Sequence, residues 1–178
     1  MCWHNEIVNS ELRLRPFRLD EEAVALAGEE AMAREGFSFL VGHAPGDHWP
    51  DYLQRVEDQS QGINLPPGWV SGSLLAASVG GALVGRVSIR YEITGSLASV
   101  GGHIGYGVLP RHRRKGYATE MLRQALVVAR ARGIDSVLVT CGEDNAGSIG
   151  VIERCGGVFD GLADAPGRPV PTRRYWIH

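Results

Sequence analysis

The chain has 178 residues, 44% of them hydrophobic and 21% charged, with a net charge of −2 at pH 7. That length and balance fit one globular domain over 1–178 with a sizeable core. The near-neutral charge argues against a nucleic-acid binder, and no apolar run approaches the roughly 20 residues of a membrane span.

Met1 to Ser10 contain Glu6 and no apolar stretch of the secretory kind. Cys2, Cys141 and Cys155 are odd in number and form no C-x-x-C pair, so they read as reduced thiols of a cytoplasmic protein. Leu12, Leu14 and Phe17 among Arg13, Arg15 and Arg18 predict a first strand, placed at an edge or bent by Pro16. Asp20 reads as an N-cap, with Glu21 and Glu22 in the first turn of a helix reaching Arg34. Residues 36–70 are rich in Gly and Pro and read as irregular, with one short helix near Trp49–Asp58; so long an insert is often functional. His43, Asp47 and His48 within it are too few and too poorly spaced for a metal site, and no metal is expected.

Leu74–Val79 and Leu83–Ile93 predict a hairpin turned by Gly80-Gly81. A further strand follows from Gly102 to Val108. Next comes Val108-Leu109-Pro110-Arg111-His112-Arg113-Arg114-Lys115-Gly116-Tyr117-Ala118-Thr119, in which a basic loop opens a helix. The first amides of a helix lack partners and carry partial positive charge, so a phosphate can fill that place. Gly116 lets an anion approach the backbone. A phosphorylated cofactor is the expectation. Met121, Leu122, Ala125, Leu126, Val128 and Ala129 give this helix an apolar stripe ending near Gly133. Val137-Leu138-Val139 predicts a buried strand. Asn145 predicts the cap of a helix over Ala146–Arg154, and Val158-Phe159 and Arg174–Ile177 read as closing strands.

No G-x-x-x-x-G-K-[ST] occurs, and Gly105-Tyr106-Gly107 lacks the third glycine of a dinucleotide fingerprint. Taken together, Arg113-Arg114-Lys115-Gly116-Tyr117-Ala118, the preceding Val108-Leu109-Pro110, and the later Asn145-Ala146-Gly147-Ser148 resemble the GNAT superfamily of N-acetyltransferases, whose cofactor motif is Arg/Gln-x-x-Gly-x-Gly/Ala. The Gly36–Leu40 segment and the closing Arg173–Ile177 resemble a bacterial branch of predicted acetyltransferases.

The resemblance implies an α+β, three-layer α/β/α fold. Its mixed, mostly antiparallel sheet would have about seven strands, splayed between the fourth and fifth and flanked by about four helices. It implies acetyl-CoA as cofactor, with Val108 pairing with pantetheine amides and Arg113, Arg114, Lys115, Gly116, Tyr117, Ala118 and Thr119 around the pyrophosphate. Asn145 and Ser148 complete the set. The chemistry implied is direct attack of a primary amine on the thioester; the acceptor is a small molecule or a peptide. Family members are often dimers, which leaves room for a homodimer.

A free alkyl amine has a pKa of about 10.4 and must be neutral to attack. His103 and Glu92 are the candidate bases, each set against a bland structural role. In many members a tyrosine seven residues after the Asn protonates the leaving thiolate; the matching position here, seven after Asn145, is Ile152. Ser148, Tyr106 or water stand as alternatives. Cys141 reads as a small buried thiol. Phe37, Phe39, Trp49, Tyr52 and Trp69 are candidates for an acceptor pocket, and Glu57, Asp58 and Glu92 would suit a cationic acceptor. A non-enzymatic acyl-CoA-binding or sensing module is the competing reading.

Overall fold

In the computed structural model, which describes residues 11–164, 167 and 169–178, the apolar alternations become a seven-stranded sheet. The strands are β1 (Arg13–Arg15), β2 (Gly72–Val79), β3 (Ala82–Arg90), β4 (Ile104–Val108), β5 (Val137–Gly142), β6 (Val158–Ala163) and β7 (Thr172–Ile177), in the order β1-β2-β3-β4-β5-β7-β6. All neighbours are antiparallel except β4 and β5. The β2–β3 turn has Gly80 at φ 56° and Gly81 at φ 84°, two consecutive left-handed residues that match the twist of a hairpin.

The described α-helices are α1 (Glu22–Ala33), α2 (Trp49–Gln61), α3 (Tyr117–Ala131) and α4 (Ala146–Arg154). Helix α3 buries Met121, Leu122, Ala125, Leu126 and Ala129 with Val87, Ile104, Val139 and Tyr175 of the sheet. On the opposite face Met32 of α1 and Trp49 and Tyr52 of α2 cluster with Phe17, Phe39, Leu74 and Leu83. Each such fully buried aliphatic contributes about 1.5–3 kcal/mol. The three expected layers follow from these two cores.

Several boundaries differ from the sequence reading. Asp20 does not cap α1. A 3₁₀ turn, Leu19–Glu21, intervenes, and Asp20 pairs at the surface with Arg18. Glu21, only 3% exposed, instead accepts from the Arg18 amide at 2.9 Å and pairs with Arg15, because a buried carboxylate must find donors. Helix α2 runs on to Gln61. Strand β3 stops at Arg90 and β4 starts at Ile104, since Leu97–Gly101 wind into a π-helical turn and Gly102 has φ 67°. Among the described residues Cys141 and Cys155 form no disulfide; Cys2 lies outside the described residues. Among the described residues, no helix is long and apolar enough to cross a membrane.

The junction that builds the site is β4–β5. Only Ile104 and Val139 are paired in it. His103 extends the contact by donating its amide to the Leu138 carbonyl at 2.7 Å. Beyond Ile104 the strands part.

Candidate active site

The parting strands open a cleft of about 940 Å³. One wall is Tyr106, Gly107 and Val108 of β4. Among the described residues this edge has no strand partner beyond Ile104, whereas the other edge is fully paired to β3. Unpaired amides and carbonyls along an open edge are a template for an extended ligand that itself carries amides.

The floor is the N-terminus of α3. Pro110–His112 form a 3₁₀ turn, Arg114 is left-handed at φ 63°, and Gly116 follows at φ 79°. This winding turns the loop's backbone inward. Among the described residues, none of the amides from Arg114 to Thr119 has a hydrogen-bond partner. A Cβ on Gly116 would meet nothing within 4 Å, so the space above it is open. Arg114, Gly116, Tyr117, Ala118 and Thr119 all line the cleft. Lys115 is exposed and does not.

Arg113 also lines the cleft, but its guanidinium is already engaged. It makes a two-pronged ion pair with Glu35, at 3.1 and 2.6 Å, and its Nε donates to the Val108 carbonyl at 3.1 Å. Those hydrogen bonds hold the Glu35 carboxyl below the usual range. Arg113 thus fastens the turn after α1 to the cofactor loop while it lines the cleft.

The facing wall is the start of α4. The Asn145 side chain accepts from the Ser148 amide at 3.0 Å, the expected cap. Ser148 Oγ lies 2.7 Å from Tyr106 Oη, so one hydroxyl pair spans the parted strands. Burial, the largest influence, raises the Tyr106 pKa, so this phenol stays protonated far above neutral pH. Ile152 is fully buried in the core and presents nothing to the cleft.

Neither candidate base reaches the cleft. His103 sits at the closed end of the β4–β5 junction, 7% exposed, where its Nδ1 accepts from the Leu138 amide at 2.9 Å. In the neutral ring that bond puts the proton on Nε2, leaving no lone pair for a base. Burial, then the nearby Arg90 charge, lower its pKa. Glu92 lies just past the end of β3, exposed, and is also absent from the cleft lining. Of the five candidate aromatics, Phe37 lines the cleft; Phe39, Trp49 and Tyr52 are buried in the core. Trp69 lines a separate pocket of about 310 Å³ that also touches Tyr52 and Asp58.

Sequence reasoning missed Met32, Glu35, His112, Glu120, Arg123 and Arg154 as lining residues. Helical spacing from Gly116 offered a signal for Glu120 and Arg123. Nothing local pointed to Met32 and Glu35, which arrive from α1 and the turn after it through the tertiary fold.

The family model described as acetyltransferase (GNAT) domain matches residues 11–158. No curated protein matches the chain. Among solved structures, RimJ from Mycobacterium smegmatis in complex with CoA-disulfide has a TM-score of 0.68 at 19% identity, covering 93% of this chain and 81% of its own. YncA from Salmonella typhimurium, a putative acetyltransferase with acetyl-CoA, has a TM-score of 0.61 at 15% identity, covering 94% and 93%. A Salmonella typhimurium acetyltransferase that modifies the N-terminal serine of a ribosomal subunit protein has a TM-score of 0.66 at 17% identity, covering 96% of each. These likenesses establish the fold.

Proposed function

The chain belongs to the GNAT acetyltransferase family, and from that premise we propose that it acetylates a primary amine of a small molecule or peptide, with Ser148 and Tyr106 as its proton donors. It is an acetyl-CoA-dependent N-acetyltransferase. The observation that carries the assignment is the cleft itself, where an open β4 edge meets a row of unpartnered amides at α3. Bound acetyl-CoA supplies an activated acetyl thioester.

The chain's own groups do the rest. The β4 edge at Val108 binds and aligns the amide-bearing arm. The amides from Arg114 to Thr119, with the α3 dipole, hold the pyrophosphate. Ser148 Oγ holds a proton on the cleft wall, and Tyr106 Oη is placed to replace it. A thiol has a pKa of about 8.5, so a departing thiolate asks little of that donor. This pair would take over the proton-donating role for which Ile152 has no hydroxyl. Neither His103 nor Glu92 is placed to take the amine's proton, so the amine would arrive neutral or lose its proton to water or to a cleft-lining group such as His112 or Glu120.

The buried Cys141 thiol and the cofactor itself support a cytoplasmic location, and the bacterial sources of the similar structures support a bacterial origin. The deciding experiment is acetyl-CoA turnover with a serine-led peptide bearing a free N-terminus, spermidine and Nα-acetyl-lysine amide. Ser148→Ala should cut kcat with acetyl-CoA affinity unchanged. Tight acetyl-CoA binding with no turnover of any amine would instead identify a binding module.

A further inference from the structure

We propose that Glu29 and Arg86 form a charge clamp on the Ser38–Leu40 backbone that fixes Phe37 as the acceptor-side wall of the cleft, a role that rests on the N-acetyltransferase reading above. Arg86, on β3, is 4% exposed, yet it has no carboxylate partner within ion-pair distance among the described residues. Its donors go to neutral oxygens instead. Nε donates to the Phe39 carbonyl at 3.1 Å, and Nη2 donates to the Ser38 carbonyl. Nη1 donates to the Gly105 carbonyl at 3.2 Å and to Ser88 Oγ at 3.1 Å. The guanidinium carbon lies 4.3 Å from the centre of the Phe37 ring.

The opposite charge comes from α1. Glu29 Oε2 accepts from the amides of Phe39 and Leu40, both at 2.6 Å. Phe39 therefore gives its amide to an anion and its carbonyl to a cation. Burying the Arg86 charge without a carboxylate partner is costly, and an apolar side chain at position 86 would fill the same space more cheaply. The fold alone does not require the arrangement. What it secures is the residue just before the clamped segment. The Phe37 ring presses on β4 so closely that a Cβ on Gly107 would lie 2.6 Å from it. Phe37, Gly107 and Met32 line the cleft together. The cofactor-holding groups come from the open edge of β4 and from α3 and α4, so this α1 side is the one left for the acceptor. A ring fixed there directs an amine and excludes water from the thioester.

The test uses the full chain with acetyl-CoA and hydroxylamine, a small amine that is uncharged near neutral pH, and reads aminolysis against hydrolysis. In Arg86→Met and Glu29→Gln the aminolysis-to-hydrolysis ratio should fall roughly tenfold to a hundredfold, as expected when a reacting pair is misplaced, while acetyl-CoA affinity is unchanged. Arg86→Lys keeps the charge but not the fork, so its ratio should fall in between. Amide hydrogen exchange at Phe39 and Leu40 should quicken in both clamp variants while the α3 amides keep their protection. Phe37→Leu removes the wall and spares the charges, so it should reproduce the ratio change with exchange at Phe39 and Leu40 unaltered. Wild-type ratios, or wild-type exchange at Phe39 and Leu40, in the clamp variants would overturn the proposal. A wild-type protein that transfers acetyl to neither hydroxylamine nor water would overturn the acetyltransferase reading, and the exchange rates would still decide the clamp.

Discussion

At the scale of single residues, Gly116 offers a separation of ligand effects from packing effects. Its left-handed φ of 79° costs a non-glycine residue about 1–2 kcal/mol, yet a side chain there meets nothing within 4 Å. Gly116→Asn and Gly116→Asp carry similar backbone strain, and only the aspartate adds a negative charge where the pyrophosphate would lie. Calorimetric titration with CoA should show a modest loss for asparagine and abolished binding for aspartate; equal affinities in the two variants would remove the phosphate assignment. His103 makes a different prediction. Burial holds its folded pKa below the ordinary histidine value of about 6.5, so below that pH the unfolded chain binds a proton that the folded chain refuses. Stability is complete above the unfolded pKa and is lost as pH falls beneath it. His103→Asn keeps an acceptor for the Leu138 amide and removes the titration. In urea melts between about pH 7.5 and 5.5 the wild type should lose more stability than this variant. A kcat profile that moved with His103→Asn would restore the residue to catalysis.

Elements divide by how local their signals are. Helix α4 begins at Ala146 because Asn145 takes the Ser148 amide, a contact three residues long. Asn145→Ala should therefore cost about 1 kcal/mol by urea denaturation, and it should also weaken the Tyr106–Ser148 pair, seen as a fall in kcat beyond any change in acetyl-CoA affinity. The Gly116 start of α3 and the Gly80-Gly81 hairpin were legible for the same reason, since one residue's backbone preference decides each. The α1 cap was not. Asp20 has the right chemistry, but the buried Glu21 beside it is claimed by Arg15 and Arg18, and burial outranks local preference. The site splits along the same line. The cofactor loop and Asn145 stand in the sequence, whereas Glu35 reaches Arg113 across 78 positions and Phe39 reaches Arg86 across 47. His103 fell to strand geometry: the residue lies on the expected strand run, but at the closed end of the junction. The parting of β4 from β5 came from family resemblance alone, because no residue pattern within either strand announces it.

For the whole molecule, that parting is the place where stability and function meet. One half of the sheet, β1 to β4, joins the other, β5 to β7, through a single paired position and the His103–Leu138 contacts. The other ties across the gap are the core that α3 buries against strands of both halves, the packing of α3 on α4, the Tyr106–Ser148 hydroxyl pair, and the Arg174 and Thr140 bonds to carbonyls of the π-helical turn. A ligand lying along β4 and ending at α3 and α4 adds contacts where the protein has few. Acetyl-CoA should therefore stabilise the chain as one cooperative unit. At 100 times its Kd, mass action gives about 2.7 kcal/mol, which is roughly 5–10 °C in Tm for a chain of this size. CoA should act similarly, since the pyrophosphate and amide contacts are common to both. ATP carries phosphates but lacks the amide-bearing arm that the β4 edge would pair, so its shift should be much smaller. Equal shifts with ATP and acetyl-CoA would show that the α3 amides alone hold the ligand and that the open β4 edge contributes nothing to binding.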